Sequence, residues 1–141
     1  AGFCGETEEE HQQTLSLMRE VEYDLAYMSA YSERERTLAY RKFEDDVPQE
    51  VKKRRLSEII SQQMSIQHRR NHDEIGHRHV VLVEGTSKRS EQQMSGRTDT
   101  NKIAVFDRND FEKGDYVEVE ITGASSATLI AKPIATTSLR A

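Results

Sequence analysis

The sequence predicts an α+β fold in which a helical segment, residues 1–70, precedes a small antiparallel β-barrel. Apolar residues recur at helical spacing in the first half, and the period changes to two after residue 76. The clearest alternation lies in the stretch 114–131. There Val117, Val119 and Ile121 alternate with polar residues behind a Gly-Asp turn. This apolar face needs partners, and the three shorter β-type runs before it can supply them.

Composition limits the class of protein. The chain has 141 residues, of which 35% are apolar and 32% charged, so any single core is modest. No run approaches the ~20 apolar residues of a membrane span, and no secretory leader opens the chain. The one cysteine, Cys4, excludes an intramolecular disulfide and suits the reducing cytoplasm. The first residue is Ala1 and not Met, which favours a segment of a longer protein.

The charge is unevenly distributed. The net charge is −5, but residues 1–50 carry 13 acidic and 5 basic residues, whereas residues 51–110 carry 8 acidic and 12 basic ones. An acidic chain with a basic middle is not typical of a bulk nucleic-acid binder. It does allow one local basic face.

The first segment has the pattern turn, helix, strand. Thr7 and Glu10 form a capping box that predicts a helix over 7–22. The run LAYMSAY, residues 25–31, predicts a strand buried on both faces. This pattern is typical of a truncated βα fragment of a βαβ unit whose first strand lies before Ala1.

A long amphipathic helix is predicted over 49–68, with Pro48 in its first turn. Its solvent face is expected to carry Lys52, Lys53, Arg54 and Arg55. The polar residues 69–76 are expected to be a linker, and the domain boundary is placed there.

Five short β segments without intervening helices predict an OB-like barrel over 76–134. The expected strands before the 114–131 hairpin are 80–84, 94–97 and 102–106, with a polar turn over 85–90. Residues 135–141 are expected to be a disordered tail.

No catalytic or metal constellation is predicted. His68 and His72 are four apart, a spacing that can chelate a metal on a helix, but they lie in a polar run without a third ligand type, so solvated histidines are expected. Glu8, Glu9 and Glu10 are expected to interact with the helix dipole and not to act as acid or base catalysts.

Basic residues in the turns and strand ends of the barrel are candidates for binding RNA, because OB-type folds present their ligand surface there. They are Lys88, Arg89, Arg97, Lys102 and Arg108. The polar run between Arg97 and Lys102 is expected to hydrogen-bond phosphate and 2′-hydroxyl groups. An ordinary solvated surface is the alternative. Few aromatic residues are available for stacking (Phe106, Phe111 and Tyr116), which favours contacts to the RNA backbone over sequence recognition.

Several motifs together resemble a known family. VLVEG at 81–85, GRT at 96–98 with Asn101, IAVFD at 103–107 and the stretch 114–131 are similar to a TRAM domain, specifically that of the MiaB-type tRNA methylthiotransferases. GFCGETEEE, AYSERERT and VPQEVKKRR, in the first half, resemble the C-terminal end of that family's radical-SAM barrel. Together these motifs cover nearly the whole chain.

The resemblance implies the fold and the activity of a longer enzyme. Residues 1–70 would be the end of a radical-SAM barrel with a connecting helix. The parent enzyme would add a methylthio group to isopentenyl-adenosine beside the tRNA anticodon, using two 4Fe-4S clusters and S-adenosylmethionine. The CxxxCxxC motif is absent from this chain, so no cofactor and no catalysis are expected of it alone.

The resemblance also implies site residues. Gly5, Glu6 and Arg34 are the expected S-adenosylmethionine contacts, although Cys4, Glu33 and the pair Glu35-Arg36 replace residues usual in the family. Lys88, Arg89, Arg97, Asn101 and Lys102 are the expected RNA contacts, with the tRNA anticodon arm as the partner and the cytoplasm as the compartment. The acidic outer face of the 114–131 hairpin is expected to be no part of the RNA surface. Self-association through exposed barrel edges is expected. The alternatives are a sister methylthiotransferase acting on a ribosomal protein, and an interaction module with no RNA ligand.

Overall fold

The structure, a computed structural model, describes residues 1–134, so the predicted disordered tail 135–141 lies outside the described residues. The chain divides into two compact units at Ile66/Gln67. This division falls inside a helix, a few residues before the linker expected over 69–76. The elements are α1 (Glu8–Val21), α2 (Leu38–Lys42), α3 (Gln49–His72), β1 (Arg78–Ser87), β2 (Ser90–Arg97), β3 (Ile103–Asp107), β4 (Tyr116–Ala124) and β5 (Leu129–Pro133).

The capping box predicted before α1 is present. The backbone N–H of Glu10 donates to Thr7 Oγ1 at 3.2 Å, and the backbone N–H of Thr7 donates to Glu10 Oε2 at 2.8 Å. The helix ends at Glu22, whose φ of 52° is left-handed. One face of α1 is buried through His11, Leu15 and Met18. The predicted helix over 7–22 is therefore confirmed.

The strand predicted over 25–31 is wrong. This segment is extended but forms no ladder, and Tyr27 is 95% exposed. A buried parallel strand needs hydrogen-bonded neighbours on both sides. Among the described residues, the segment's backbone pairing runs to Ala1, which donates to the carbonyl of Ser29 at 2.9 Å and accepts from the N–H of Tyr31 at 2.8 Å. The apolar run alone could not reveal how few neighbours this part of the chain would have.

The buried side of α3 in the first unit is largely polar. The predicted solvent face holds for Lys53 and Arg54, which are exposed, but not for Lys52 and Arg55. Lys52 is fully buried and Arg55 is 5% exposed, whereas Ile60 and Met64 are 39% and 43% exposed. The Lys52 ammonium binds the carboxylate of Asp45. Long basic side chains pack through their aliphatic stems when a carboxylate meets the charged end. Hydrophobic periodicity therefore gave the helix but not its inner face.

One helix was missed. No helix was predicted between residues 31 and 49, but Thr37 caps the short helix α2 by accepting from the N–H of Tyr40 at 3.2 Å. Five residues provide too few positions for a helical period to show in the sequence.

The second unit contains a closed barrel with the strand order β1-β2-β3-β5-β4. The predicted OB-like barrel is confirmed, with one difference: β3 and β5 pair in parallel, while the other pairs are antiparallel. Inward side chains from all five strands of the described residues, together with Phe111, form one core. Its members are Val81, Val83, Met94, Ala104, Phe106, Phe111, Val117, Val119, Ile121, Leu129 and Ala131.

The hairpin of β4 and β5 has the predicted alternation. Val117, Val119 and Ile121 are at most 1% exposed, and Glu118 and Glu120 between them face solvent. The turn expected to start at Gly85 lies further on. Gly85 sits within β1 at an irregularity of the β1–β2 register, and residues 88–89 form the turn.

Gly96 allows β1 and β2 to approach closely. A Cβ at this position would lie 2.3 Å from the carbonyl oxygen of Leu82 and 2.6 Å from Cγ1 of Val81. The carbonyl belongs to the backbone of β1 and Cγ1 to a side chain of the barrel core, so relieving the clash would displace β1 from β2 or disturb the core. This contact explains the glycine of the GRT motif physically.

We expect Gly96→Ala to lower the free energy of unfolding of the barrel by about 2–4 kcal/mol, since overpacking against backbone is poorly relieved. Native-state hydrogen exchange of the Val83 and Val117 amides measures this stability. Gly123→Ala is the matched control, because its Cβ would meet Ile130 at 3.5 Å, an ordinary contact. Equal effects of the two changes would contradict the close-approach argument.

Candidate functional site

Arg97 lies at the end of β2 with its guanidinium held on two sides. Nε donates to Glu84 Oε1 at 3.2 Å, and Nη1 donates to the carbonyl and to Oδ1 of Asn101 at 3.2 and 3.0 Å. The side chain remains 37% exposed. An arginine fixed in this way loses less conformational entropy when it binds a phosphate.

Asn101 closes the turn that orients Arg97. Its φ of 64° is left-handed, a conformation that asparagine tolerates better than most residues. Its N–H donates to the carbonyl of Thr98 at 2.9 Å, and the N–H of Lys102 donates to Thr98 Oγ1 at 3.1 Å. Thr98 is 5% exposed. Part of the polar run that was expected to bind RNA therefore holds its own turn together.

Lys88 and Arg89 lie in the exposed turn between β1 and β2. The N–H of Arg89 donates to Ser87 Oγ at 3.4 Å. Both side chains face solvent, as the RNA hypothesis requires of them. That they contact RNA stays a prediction.

Lys102 is not a surface residue. It is 8% exposed, and its Nζ donates to Glu74 Oε1 at 3.0 Å. Glu74 also bonds His79 Nε2 at 2.8 Å. Burial by itself would raise the pKa of the Glu74 carboxyl, but the hydrogen bonds from Lys102 and His79 outweigh it and lower the pKa below its usual 4.5. This ion pair joins the turn after α3 to the start of β3 within the second unit.

Two of the residues expected to contact S-adenosylmethionine, Gly5 and Glu6, already form hydrogen bonds within the first unit. The N–H of Gly5 donates to Asp46 Oδ1 at 2.7 Å. The Glu6 carboxylate accepts from the N–H of Gly2 at 3.0 Å and from Arg55 Nη1 at 2.8 Å. Gly5 and Glu6 line one surface depression and Arg34 lines another. Their contact with S-adenosylmethionine stays a prediction.

Two sets of residues in the first unit are candidate ligands for an iron–sulfur cluster or a metal ion: Cys4, and the group Glu8, His11 and Glu58. Cys4 offers one thiolate, whereas an iron–sulfur cluster is held by several. Ligand atoms of Glu8, His11 and Glu58 lie within 4.8 Å of one another. Arg54 already bonds both carboxylates, at 2.6 and 2.8 Å. Hydrogen bonds, first of all from Arg54, lower the pKa of Glu8 to about 2. The guanidinium of Arg54 therefore supplies the positive charge beside the carboxylates of Glu8 and Glu58.

Sequence reasoning missed two acidic residues that organise the barrel's basic side chains, Glu84 and Glu74. Glu84 directly precedes Gly85, at the irregularity of the β1–β2 register, and nothing in its spacing points to Arg97 across that ladder. Glu74 lies in a run that was expected to be a linker. A basic residue in a β-rich stretch does suggest a search for acidic partners, but register decides which one it meets.

None of the helices in residues 1–134 combines the length and the apolar content that crossing a membrane requires.

Because the folded state lowers the pKa of Glu74, its ion pairs stabilise the barrel above pH 4.5, and this stabilisation is lost as pH falls through the lowered pKa. We expect Glu74→Gln to destabilise the barrel at pH 7 by about 1–3 kcal/mol, because it removes a charged acceptor from the buried ammonium of Lys102 and from His79. The variant should also lose part of the acid sensitivity of the wild type. Hydrogen exchange of barrel amides between pH 7 and pH 3 measures both effects. Glu118→Gln, an exposed control, should differ little from the wild type; an equal response would contradict the role given to Glu74.

Comparison with known proteins agrees with this geometry. Residues 73–134 match the model of the TRAM domain. The chain is 55% identical over 133 residues to a tRNA-2-methylthio-N(6)-dimethylallyladenosine synthase of Chlorobium phaeobacteroides, covering 94% of this chain and 30% of that protein. It is 52% identical to the protein of the same name from Amoebophilus asiaticus, covering 92% of this chain and 27% of the relative. The corresponding protein of Phocaeicola vulgatus is 54% identical, with 92% and 28% covered.

The chain thus spans less than a third of the length of these relatives. The match nevertheless extends over both units, and the motifs that suggested the family lie in each of them. Residues 73–134 are a TRAM domain, and the chain belongs, as a segment, to the family of the MiaB-type tRNA methylthiotransferases.

Proposed function

We propose that this chain is the RNA-holding part of a tRNA-2-methylthio-N(6)-dimethylallyladenosine synthase, and that its TRAM barrel binds the anticodon arm of the tRNA. The names of the relatives support the reaction, and the match to the TRAM domain supports RNA binding by the barrel. The reaction would be radical-SAM methylthiolation of isopentenyl-adenosine beside the anticodon, in the cytoplasm.

The observation that carries the proposal is the restrained guanidinium of Arg97. It stays 37% exposed although Glu84 and Asn101 hold it. A restrained, exposed arginine at a strand end is suited to a phosphate oxygen, which it contacts without recognising a base. Lys88 and Arg89 would add two further positive charges, while Lys102 would contribute through the fold, because it is buried against Glu74.

Catalysis belongs to the parts of the family that this chain does not span. The two 4Fe-4S clusters and S-adenosylmethionine of the parent enzyme need ligands beyond the single thiol of Cys4. We therefore propose that this chain binds tRNA without modifying it. The extended segment 25–31, with Tyr27 and Leu25 exposed, supports self-association of the isolated chain.

A sister enzyme that modifies a ribosomal protein is the second candidate function. The relatives described above are all named tRNA-2-methylthio-N(6)-dimethylallyladenosine synthase, which favours the first candidate. Complementation of a tRNA-modification defect by the longer protein would separate the two.

We expect the whole chain to bind a synthetic anticodon stem–loop RNA with an affinity that falls as salt rises. Arg97→Gln should weaken binding and reduce the slope of log K against log salt by roughly 0.7–0.9, the value of one phosphate contact. Asn101→Gly keeps the left-handed turn but removes the Oδ1 acceptor. It should weaken binding less and leave the slope unchanged, because the guanidinium charge remains. Fluorescence anisotropy at several salt concentrations measures both.

Lys53→Gln is the matched control, since it removes the same charge from an exposed site on α3. It should leave the slope unchanged. Absence of binding at low salt, or equal slopes for the Arg97 and Lys53 variants, would refute the RNA-holding role of the barrel.

A further inference from the structure

The barrel offers few places where an RNA base can stack. The second unit contains three phenylalanine and tyrosine residues. Phe106 and Phe111 are 1% and 5% exposed and pack edge to face in the core, with ring centroids 5.9 Å apart. Tyr116 is 41% exposed. Among the described residues from Gln67 onward, it is thus the one aromatic ring of this kind that can meet a ligand.

Tyr116 shares a row with Arg97 on the outer surface of the barrel. The β1–β4 register places Leu82 opposite Tyr116, and the β1–β2 register places Leu82 opposite Arg97. Directly paired residues project to the same face of a sheet, and neighbouring strands lie about 4.8 Å apart. The row Arg97, Leu82, Tyr116 therefore spans about 10 Å across three strands, with an apolar side chain between a cation and an aromatic ring.

We propose that this row binds one unpaired nucleotide, whose base stacks on Tyr116 beside Leu82 while an adjoining phosphate meets Arg97. This proposal rests on the proposed RNA function. It requires an RNA with at least one base that is neither paired nor stacked on its neighbours. Stacking on an aromatic ring needs no particular base, since every base has a π face. The row would then hold the RNA single strand without recognising its sequence.

The charges around the row determine which end of the nucleotide lies beside Arg97 and which lies beside Tyr116. Glu84 is paired with Arg97, and Glu118 lies two residues beyond Tyr116 on the same strand and is exposed. A phosphate beside Tyr116 and Glu118 would be repelled, whereas a neutral base would not be. The phosphate therefore belongs at the Arg97 end and the base at the Tyr116 end. This would place a neutral base, but no phosphate, on the first residue of the hairpin's acidic outer face, which was expected to be no part of the RNA surface.

The apolar surface continues from Leu82, which is 38% exposed, to Val80, which is 54% exposed. A sheet face of this kind often marks a binding surface. The neighbouring guanidinium and the accessible ring favour RNA as its occupant, because an anionic backbone with exposed bases complements both. A protein partner is the competing occupant and is an outcome of the experiment below.

The experiment uses the whole chain, a synthetic anticodon stem–loop RNA, and a fully paired RNA hairpin with a minimal loop and the same number of phosphates. Tyr116→Leu should weaken binding of the stem–loop by roughly 5- to 150-fold, the range of one lost stacking contact, without changing the salt slope. Tyr116→Phe keeps the ring and should stay within about twofold of the wild type. Tyr40→Leu, which removes a tyrosine that is 47% exposed in the first unit, is the matched control and should have no effect.

Binding of the paired hairpin should be weaker than that of the stem–loop and insensitive to Tyr116→Leu. A photoreactive 4-thiouridine in the loop should crosslink to Tyr116 or Leu82, as identified by mass spectrometry. If the wild type binds the stem–loop with the expected salt slope but Tyr116→Leu binds equally well, the stacking role is refuted while the RNA function stands. If the wild type binds neither RNA, the RNA function itself fails, and the apolar face is left to a protein partner.

Discussion

Closure of the barrel by the parallel β3–β5 pair is the constraint on which the second unit depends. Ala104 pairs with Leu129 and Val105 with Ile130, and this short contact joins the β1-β2-β3 meander to the β4–β5 hairpin. Once closed, the sheet has no free edge, and each side chain is assigned to the core or to the surface by its position in the alternation. The outward placement of Leu82, Arg97 and Tyr116 follows from this assignment.

Paired charges occupy buried positions in both units. Lys52 with Asp45 and Arg55 with Glu6 lie inside the first unit, and Lys102 with Glu74 lies inside the second. Buried ion pairs of this kind contribute little net free energy, but removing one partner is costly because the other charge stays buried. They therefore select one arrangement of the loops, and they remove from the surface several basic residues that a count of charges would assign to RNA.

The sequence predicted the elements whose pattern is local. The capping box of Thr7 and Glu10 and the alternation through Val117, Val119 and Ile121 are properties of neighbouring residues, and both predictions are confirmed. The strand over 25–31 was wrong because pairing depends on distant segments. Of the candidate site, the motif pointed to Arg97 and Asn101, and their contact with RNA stays a prediction. The burial of Lys102 and the exposure of Tyr116 depend on strand register and on partners far along the chain, which no local pattern reveals.

The pairing of strands that are distant along the chain has a consequence for synthesis of the protein. β1 pairs with β4, and β3 pairs with β5, so both contacts join segments that are distant along the chain. Such contacts form late and slow the folding of small β domains. While β5 is still inside the ribosome, β3 keeps an open edge and the hairpin wall is incomplete. The nascent domain must therefore avoid pairing with other chains until β5 emerges. Charged residues on the outer face of β4 and β5 would help to prevent such pairing; they are Glu118, Glu120 and Lys132.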